Sequence, residues 1–346
     1  MGSEKVFSCV KQEFNIGVAI VRIWMCFEVI CCHFWKEGFP VFLKPLERAR
    51  DLAVPLFMLT AFYLCADSIG RNLGKRLWRI VLPQIAWTVI IWLVENLCSI
   101  FDASRKVGFS DFGWQLFTGH SFNSPMWFQI ILLILTVLYG SMVKINHNKI
   151  FICVFSGIMI IGAFYLEYSG IFFKSIDSLR SEIKYPLGRL IEMVPYAFGG
   201  VLLARSEVVE KVCAGKLGRL IELMFATAGF GVLFVLKRRT LWLNAPEGFN
   251  YQGIYLWGLS FALFVGAYVF PFGKIPKGLK DAIKFISGYT LGIYCIHVCI
   301  GRTINFCLDK LGIIKDSFIE CIVIFLVCFI ICWFLSKNKH LKRLVS

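Results

Sequence analysis

Ten apolar runs, each 17–22 residues long, follow one another along the 346-residue chain. A hydrocarbon core about 30 Å thick is crossed by roughly 17–25 helical residues. The runs lie at 14–35, 52–69, 80–98, 126–143, 150–166, 188–204, 220–236, 252–270, 285–304 and 317–336. They are apolar on all sides, without the two-residue alternation of a barrel strand. Helices are then the way to satisfy the backbone in lipid. The sequence therefore predicts an all-α, polytopic integral membrane protein with about ten transmembrane helices. The composition agrees, with 58% apolar and 17% charged residues and a mean hydropathy of +0.71, against about 25% charged in soluble domains.

The first run is longer than a signal-peptide core, and no small-residue cleavage site follows at Lys36-Glu37-Gly38, so it is expected to remain as the first membrane helix. An even number of spans puts both termini on one side. That side, with the connections at 70–79, 144–149, 205–219 and 271–284, carries 20 Lys and Arg in 68 residues, against 14 in 91 on the other. The denser set is expected to face the cytoplasm.

The formal charge of +15 then divides into +15 inside, +3 outside and −3 within the spans. It marks orientation toward an anionic inner leaflet, and nucleic acid is not expected as a partner. The longest outer connection, about 27 residues at 99–125, is too short for an independent domain. The whole chain, 1–346, reads as a single membrane-embedded domain whose bundle must do any chemistry itself. Eleven of the 14 cysteines lie within spans and only Cys307 faces outward, which excludes a disulfide scaffold. No metal-ligand motif is visible.

Ionisable residues inside a membrane helix are functional candidates by default. The first span carries Arg22, Glu28 and His33. Eleven residues separate Arg22 from His33, which at about 100° and 1.5 Å per residue leaves them about 20° apart on one face and roughly 16.5 Å apart in depth. Glu28 falls on another face. Taken singly, Arg22 reads equally as a snorkelling arginine and His33 as an interfacial histidine. Together they line a path through the membrane.

Lys75-Arg76-Leu77-Trp78-Arg79 leads into the third span, with Arg76 and Arg79 at i,i+3 where two guanidinium groups can converge on one anion. The plainer reading is a positive-inside cluster. Pro83, one turn later, is expected to loosen that helix. Trp127, in Ser124-Pro125-Met126-Trp127-Phe128, sits where an aromatic-belt anchor is common. His297 in the ninth span is deep enough to need a partner, for which a hydrogen bond between helices is the plainer reading.

In this order the motifs resemble the membrane acyltransferase 3 family, polytopic enzymes that O-acylate bacterial surface carbohydrates. Arg22-x10-His33 is similar to that family's Arg/Lys-x10-His. The segment from Val54-Pro55-Leu56-Phe57 to Tyr63-Leu64 is similar to its Val-Pro-x-Phe-Phe-x-x-Ser-Gly-Tyr-x, except that Thr60-Ala61 replaces Ser-Gly. Arg76-x-x-Arg79 with Pro83, Met126-Trp127-Phe128 and Gly292-Ile293-Tyr294-Cys295-Ile296-His297 complete the set.

The resemblance implies transfer of an acetyl or other small acyl group from cytoplasmic acyl-CoA to a hydroxyl of a surface or lipid-linked glycan, in a bacterial inner membrane. His33 is the implied base, with Arg22 beside the path. Arg76, Arg79 and Lys75 are expected to hold the acyl-CoA phosphates. Acyl-CoA is a co-substrate, and no permanently bound cofactor or metal is expected. Glu37, one turn beyond His33, could orient it, while Trp127 and His297 are expected toward the acceptor end. The rival expectation is a transporter or flippase for a lipid-linked glycan, with the same buried charges lining its path.

Overall fold

The computed structural model describes residues 14–35, 50–206, 253–270, 275–312 and 317–345, with isolated positions at 215, 218, 220 and 224. Among them the regular secondary structure is all helical, without strands. The helices are α1 (Ile16–Phe34), α2 (Ala53–Cys65), α3 (Ile69–Cys98), α4 (Phe109–Thr118), α5 (Trp127–Ile145), α6 (Lys149–Ser169), α7 (Ile171–Ile176), α8 (Ser181–Ser206), α9 (Ile254–Val269), α10 (Lys277–Ser287), α11 (Thr290–Lys310), α12 (Ser317–Ser336) and α13 (Lys342–Val345).

Seven of these are long and apolar enough to cross a membrane: α1, α3 from Asn72, α5, α6, α8, α11 and α12. Two predicted spans are represented by shorter helices, α2 with 13 residues and α9 with 16, and the predicted span 220–236 falls almost entirely outside the described residues. Exposed apolar side chains form stripes at helical spacing, such as Ile150, Val154, Ile158, Ile161 and Tyr165 on α6 and Ile319, Val323, Leu326 and Ile330 on α12. Contiguous apolar surface of this kind marks contact with something other than water, here lipid.

Local signals account for the ends of several helices. Asn15 caps α1 by accepting from Val18 N, while its own amide donates to Tyr268 O just inside the end of α9. Pro55 stands in the first turn of α2, where its missing N–H costs nothing. The apolar run 52–69 does not continue as one helix because the chain turns at Ala66–Ser68. The Ala66 carbonyl there accepts from both Tyr139 Oη and Arg205 Nη2, each at 2.9 Å. In α3 the one residue with non-helical dihedrals is Asn72 (φ −128°, ψ 28°) and not Pro83, through which the helix runs on.

α1 is the central helix, touching α2, α9, α10, α11 and α12. One apolar cluster joins it to α2, α5, α6, α8 and α9, and a second joins it to α3, α11 and α12. Close approach is built in where a side chain is absent. A Cβ at Gly200 of α8 would lie 2.4 Å from Leu59 O of α2. The face that carries Arg22 and His33 is thus held from several sides.

Candidate active site

α1 has helical geometry without a break from Ile16 to Phe34, so Arg22 and His33 keep the common face expected from their spacing. Arg22 Nη2 donates to Thr290 Oγ1 at 2.9 Å, at the first residue of α11. His33 is in the last turn of α1 and is exposed on the wall of a cavity of about 750 Å³. The two residues therefore mark opposite depths of one helix, one against α11 and one at an open polar chamber.

That chamber is lined by charge. Glu95 of α3, Asp102 and Arg105 of the following connection, and Arg302, Asn305 and Asp309 of α11 all face it. Glu95 is deeply buried, and Arg105 Nε meets its carboxylate at 2.7 Å while Arg302 Nη1 stands 3.9 Å away. A buried carboxylate is tolerable only with such partners. Arg105 also donates to Thr303 Oγ1 and Arg302 to Phe122 O. Half of the Arg302 side chain, 49%, remains exposed. Asp102 accepts from Ser104 Oγ and Ser104 N, and those two bonds hold its carboxyl below the ordinary range. Glu95 and Arg302 were countable as intramembrane charges, yet only their meeting across the fold shows that they build one wall.

The connection at 99–125, too short for a domain, packs onto the bundle through α4 and a tightly held loop. Gln115 of α4 accepts from the backbone N–H groups of Ser121 and Asn123 and donates to Asn123 O. Asn123 donates to Cys295 O, and Tyr294 Oη donates to Pro125 O at 2.7 Å. Gly119 turns the chain at φ +67°, with Met126 and Trp127 backbone atoms 2.5 Å from where a Cβ would stand. No other residue fits there. The loop is a strut between α4, α5 and α11, and Ser121 and Phe122 on it line the chamber.

His297 is 0% exposed, on α11 behind His33. Its Nδ1 is 2.7 Å from Tyr294 O, its ring centroid is 5.3 Å from that of His33, and its Nε2 is buried with no hydrogen-bond partner among the described residues. An unsatisfied buried group of this kind costs about 1–3 kcal/mol.

Trp127 corrects its sequence reading, for it is no belt anchor. It is 4% exposed within the main apolar cluster, with the Tyr185 ring edge-on to it and Arg189 of α8 over its ring at 5.4 Å. Arg189 bonds Glu192 at 2.6 Å and Tyr185 Oη at 2.7 Å, and His120 stacks on Tyr185 at 4.1 Å. This buried ionic and aromatic cluster was not singled out from sequence. Arg189 and Glu192, three apart within an apolar run, were its signal.

At the other end of the bundle, Arg76 is turned inward, and its Nη2 donates to Ala61 O of α2 at 3.2 Å, the residue that stands where the resembling family has Gly. Its Nε is buried without a partner among the described residues. Lys75 and Arg79 are exposed. The two arginines therefore lie on neighbouring faces of α3 and do not share a partner. Glu37 lies outside the described residues.

A family model described as an acyltransferase domain matches residues 15–337 of the chain. No curated protein and no solved structure matches.

Proposed function

Since the chain belongs to the acyltransferase 3 family and is an acyltransferase, we propose that it moves an acetyl or other small acyl group from cytoplasmic acyl-CoA to a hydroxyl of a surface or lipid-linked glycan. The setting proposed is a bacterial inner membrane, with both termini in the cytoplasm. The observation that carries this reading is the position of His33, at the end of the central helix and on the wall of a roughly 750 Å³ polar chamber. Carboxylates, guanidinium groups and amides around that space suit the many hydroxyls of a sugar.

In the proposed reaction the acceptor hydroxyl enters the chamber and gives its proton to a neutral His33, imidazole being the commonest general base. The hydroxyl oxygen attacks the thioester carbonyl and forms a tetrahedral oxyanion. Collapse of that intermediate breaks the carbon–sulfur bond. The CoA thiolate leaves and takes the proton back from His33, so the products are the acyl ester and free CoA. Arg76, Arg79 and Lys75 hold the CoA phosphates at the opposite end, and the pantetheine arm passes Arg22 between the helices. Arg22, on the same face of α1 but away from the chamber, adds positive charge along the path of that arm.

Acyl transfer from labelled acetyl-CoA to membrane glycan, followed with wild type and His33→Ala, tests the reading. Loss of transfer with His33→Ala supports it, together with a glycan mass shift of one acyl group that depends on the active protein. Equal transfer in both removes His33 from the base role. Movement of glycan without covalent change would point to a flippase.

A further inference from the structure

The geometry around His297 points to a role in setting the state of His33. The Tyr294 carbonyl, 2.7 Å from His297 Nδ1, can only accept a hydrogen bond, so Nδ1 of His297 carries the proton. In the neutral ring that leaves Nε2 as a bare lone pair. This nitrogen is buried and without a partner among the described residues. The nearest imidazole is that of His33, with its centroid 5.3 Å away. A ring nitrogen lies about 1.2 Å from its centroid, so facing nitrogens at this separation are about 3 Å apart, the length of an N–H···N hydrogen bond. The rings now meet at 48°. His33 borders the chamber, and a turn of its ring about the Cβ–Cγ bond closes the contact.

We propose that His297 is the positioning residue of His33. Its Nε2 accepts the N–H of one His33 nitrogen and thereby fixes the tautomer, leaving the other nitrogen bare toward the chamber. Without that bond both tautomers of His33 are populated, and only one presents a lone pair to the acceptor. When His33 takes the acceptor proton, His297 Nε2 stays opposite the N–H of the imidazolium and shares its charge. The proton itself remains on His33 until the thiolate removes it. The benefit to transfer rests on the reading of His33 as base, whereas the tautomer itself does not.

Two substitutions separate the atoms of His297. Asparagine retains a group close to Nδ1, able to bond Tyr294 O, but has nothing at Nε2. Glutamine places its amide oxygen near Nε2 and leaves Tyr294 without its partner. The chain has five histidines, so nitrogen NMR of protein labelled with ¹⁵N-histidine in detergent can be assigned by single substitutions. The expected result is one fixed His33 tautomer in wild type and in His297→Gln, and averaged tautomers in His297→Asn. Kinetics with acetyl-CoA should show kcat reduced at least about tenfold in His297→Asn with KM unchanged, and largely restored in His297→Gln.

A purely structural His297, needed for its Tyr294 bond, predicts the reverse order of the two variants, and that order overturns the proposal. An unchanged His33 tautomer in His297→Asn overturns it as well. If the tautomer depends on His297 while His33→Ala transfers normally, the positioning stands and the base reading falls.

Discussion

Arg22 in the second turn of α1 and Thr290 at the start of α11 are joined by a 2.9 Å hydrogen bond. Thr290 Oγ1 in turn donates to Ser287 O, so the arginine is linked to the end of α10 through one hydroxyl. Thr290→Val keeps the shape and removes both bonds. A polar contact between membrane helices is worth about 1 kcal/mol, so the thermal midpoint in detergent should fall by a few degrees. Thr290→Ser should restore it. An unchanged midpoint in Thr290→Val would show that Arg22 finds another partner at no cost.

Gly301 of α11 admits the Phe34 ring where a side chain would stand, with a Cβ there only 2.1 Å from Phe34 Cζ. Phe34 follows His33, so Gly301→Ala must push the end of α1 away from the chamber wall. Overpacking of this kind costs about 1–3 kcal/mol, and transfer should fall with it. Phe34→Leu in the same chain makes room and should recover most of both losses. A double-mutant cycle in transfer and thermal midpoint measures the coupling. Additive losses would separate Gly301 from the position of His33.

These relations show where the sequence was legible. Seven of the ten apolar runs marked helices long enough to cross a membrane, where the backbone must be satisfied within the helix, and the eleven-residue spacing of Arg22 and His33 held because nothing interrupts α1. The break at Ala66–Ser68 was hidden, since it depends on Tyr139 and Arg205 arriving from α5 and α8 to bond one carbonyl. The chamber was hidden for the same reason. Its Arg105–Thr303 contact joins residues 198 apart, and neither residue signals the other along the chain. Trp127 looked like a belt anchor, yet it packs inside the main apolar cluster against Tyr185 and Arg189 from α8.

His120 gives the loop side of this cluster a sensitivity to acid. Burial, and then the Arg189 guanidinium, hold its imidazole below the ordinary 6.5, with Glu182 pulling the other way. The folded state thus binds the proton less readily than the unfolded chain. The stability this contributes is complete above about 6.5 and is lost as pH falls toward the lowered folded value. His120→Phe keeps a ring against Tyr185 and removes the titration. Its thermal midpoint should fall less than that of wild type between about pH 7.5 and about pH 5.5. Parallel losses in both proteins would assign the acid sensitivity to other groups.

Arg76 and Arg79 should separate in what they do for the protein. Arg79 is exposed and has no partner among the described residues, so Arg79→Ala should leave stability within about 0.5 kcal/mol of wild type. Arg76 donates to Ala61 O and is partly buried, so Arg76→Ala should lower the thermal midpoint by the worth of that bond, about 1 kcal/mol. If both grip the CoA phosphates, each loss removes a charge-assisted contact worth about 1.5–3 kcal/mol. The KM for acetyl-CoA should then rise roughly tenfold to a hundredfold in each, and kcat should change less. Because Arg79→Ala leaves the fold intact, its KM is the cleaner measure, and an unchanged value would place the CoA phosphates elsewhere. Arg79→Lys should recover only part of the affinity, since a lysine cannot make the paired contacts of a guanidinium with phosphate.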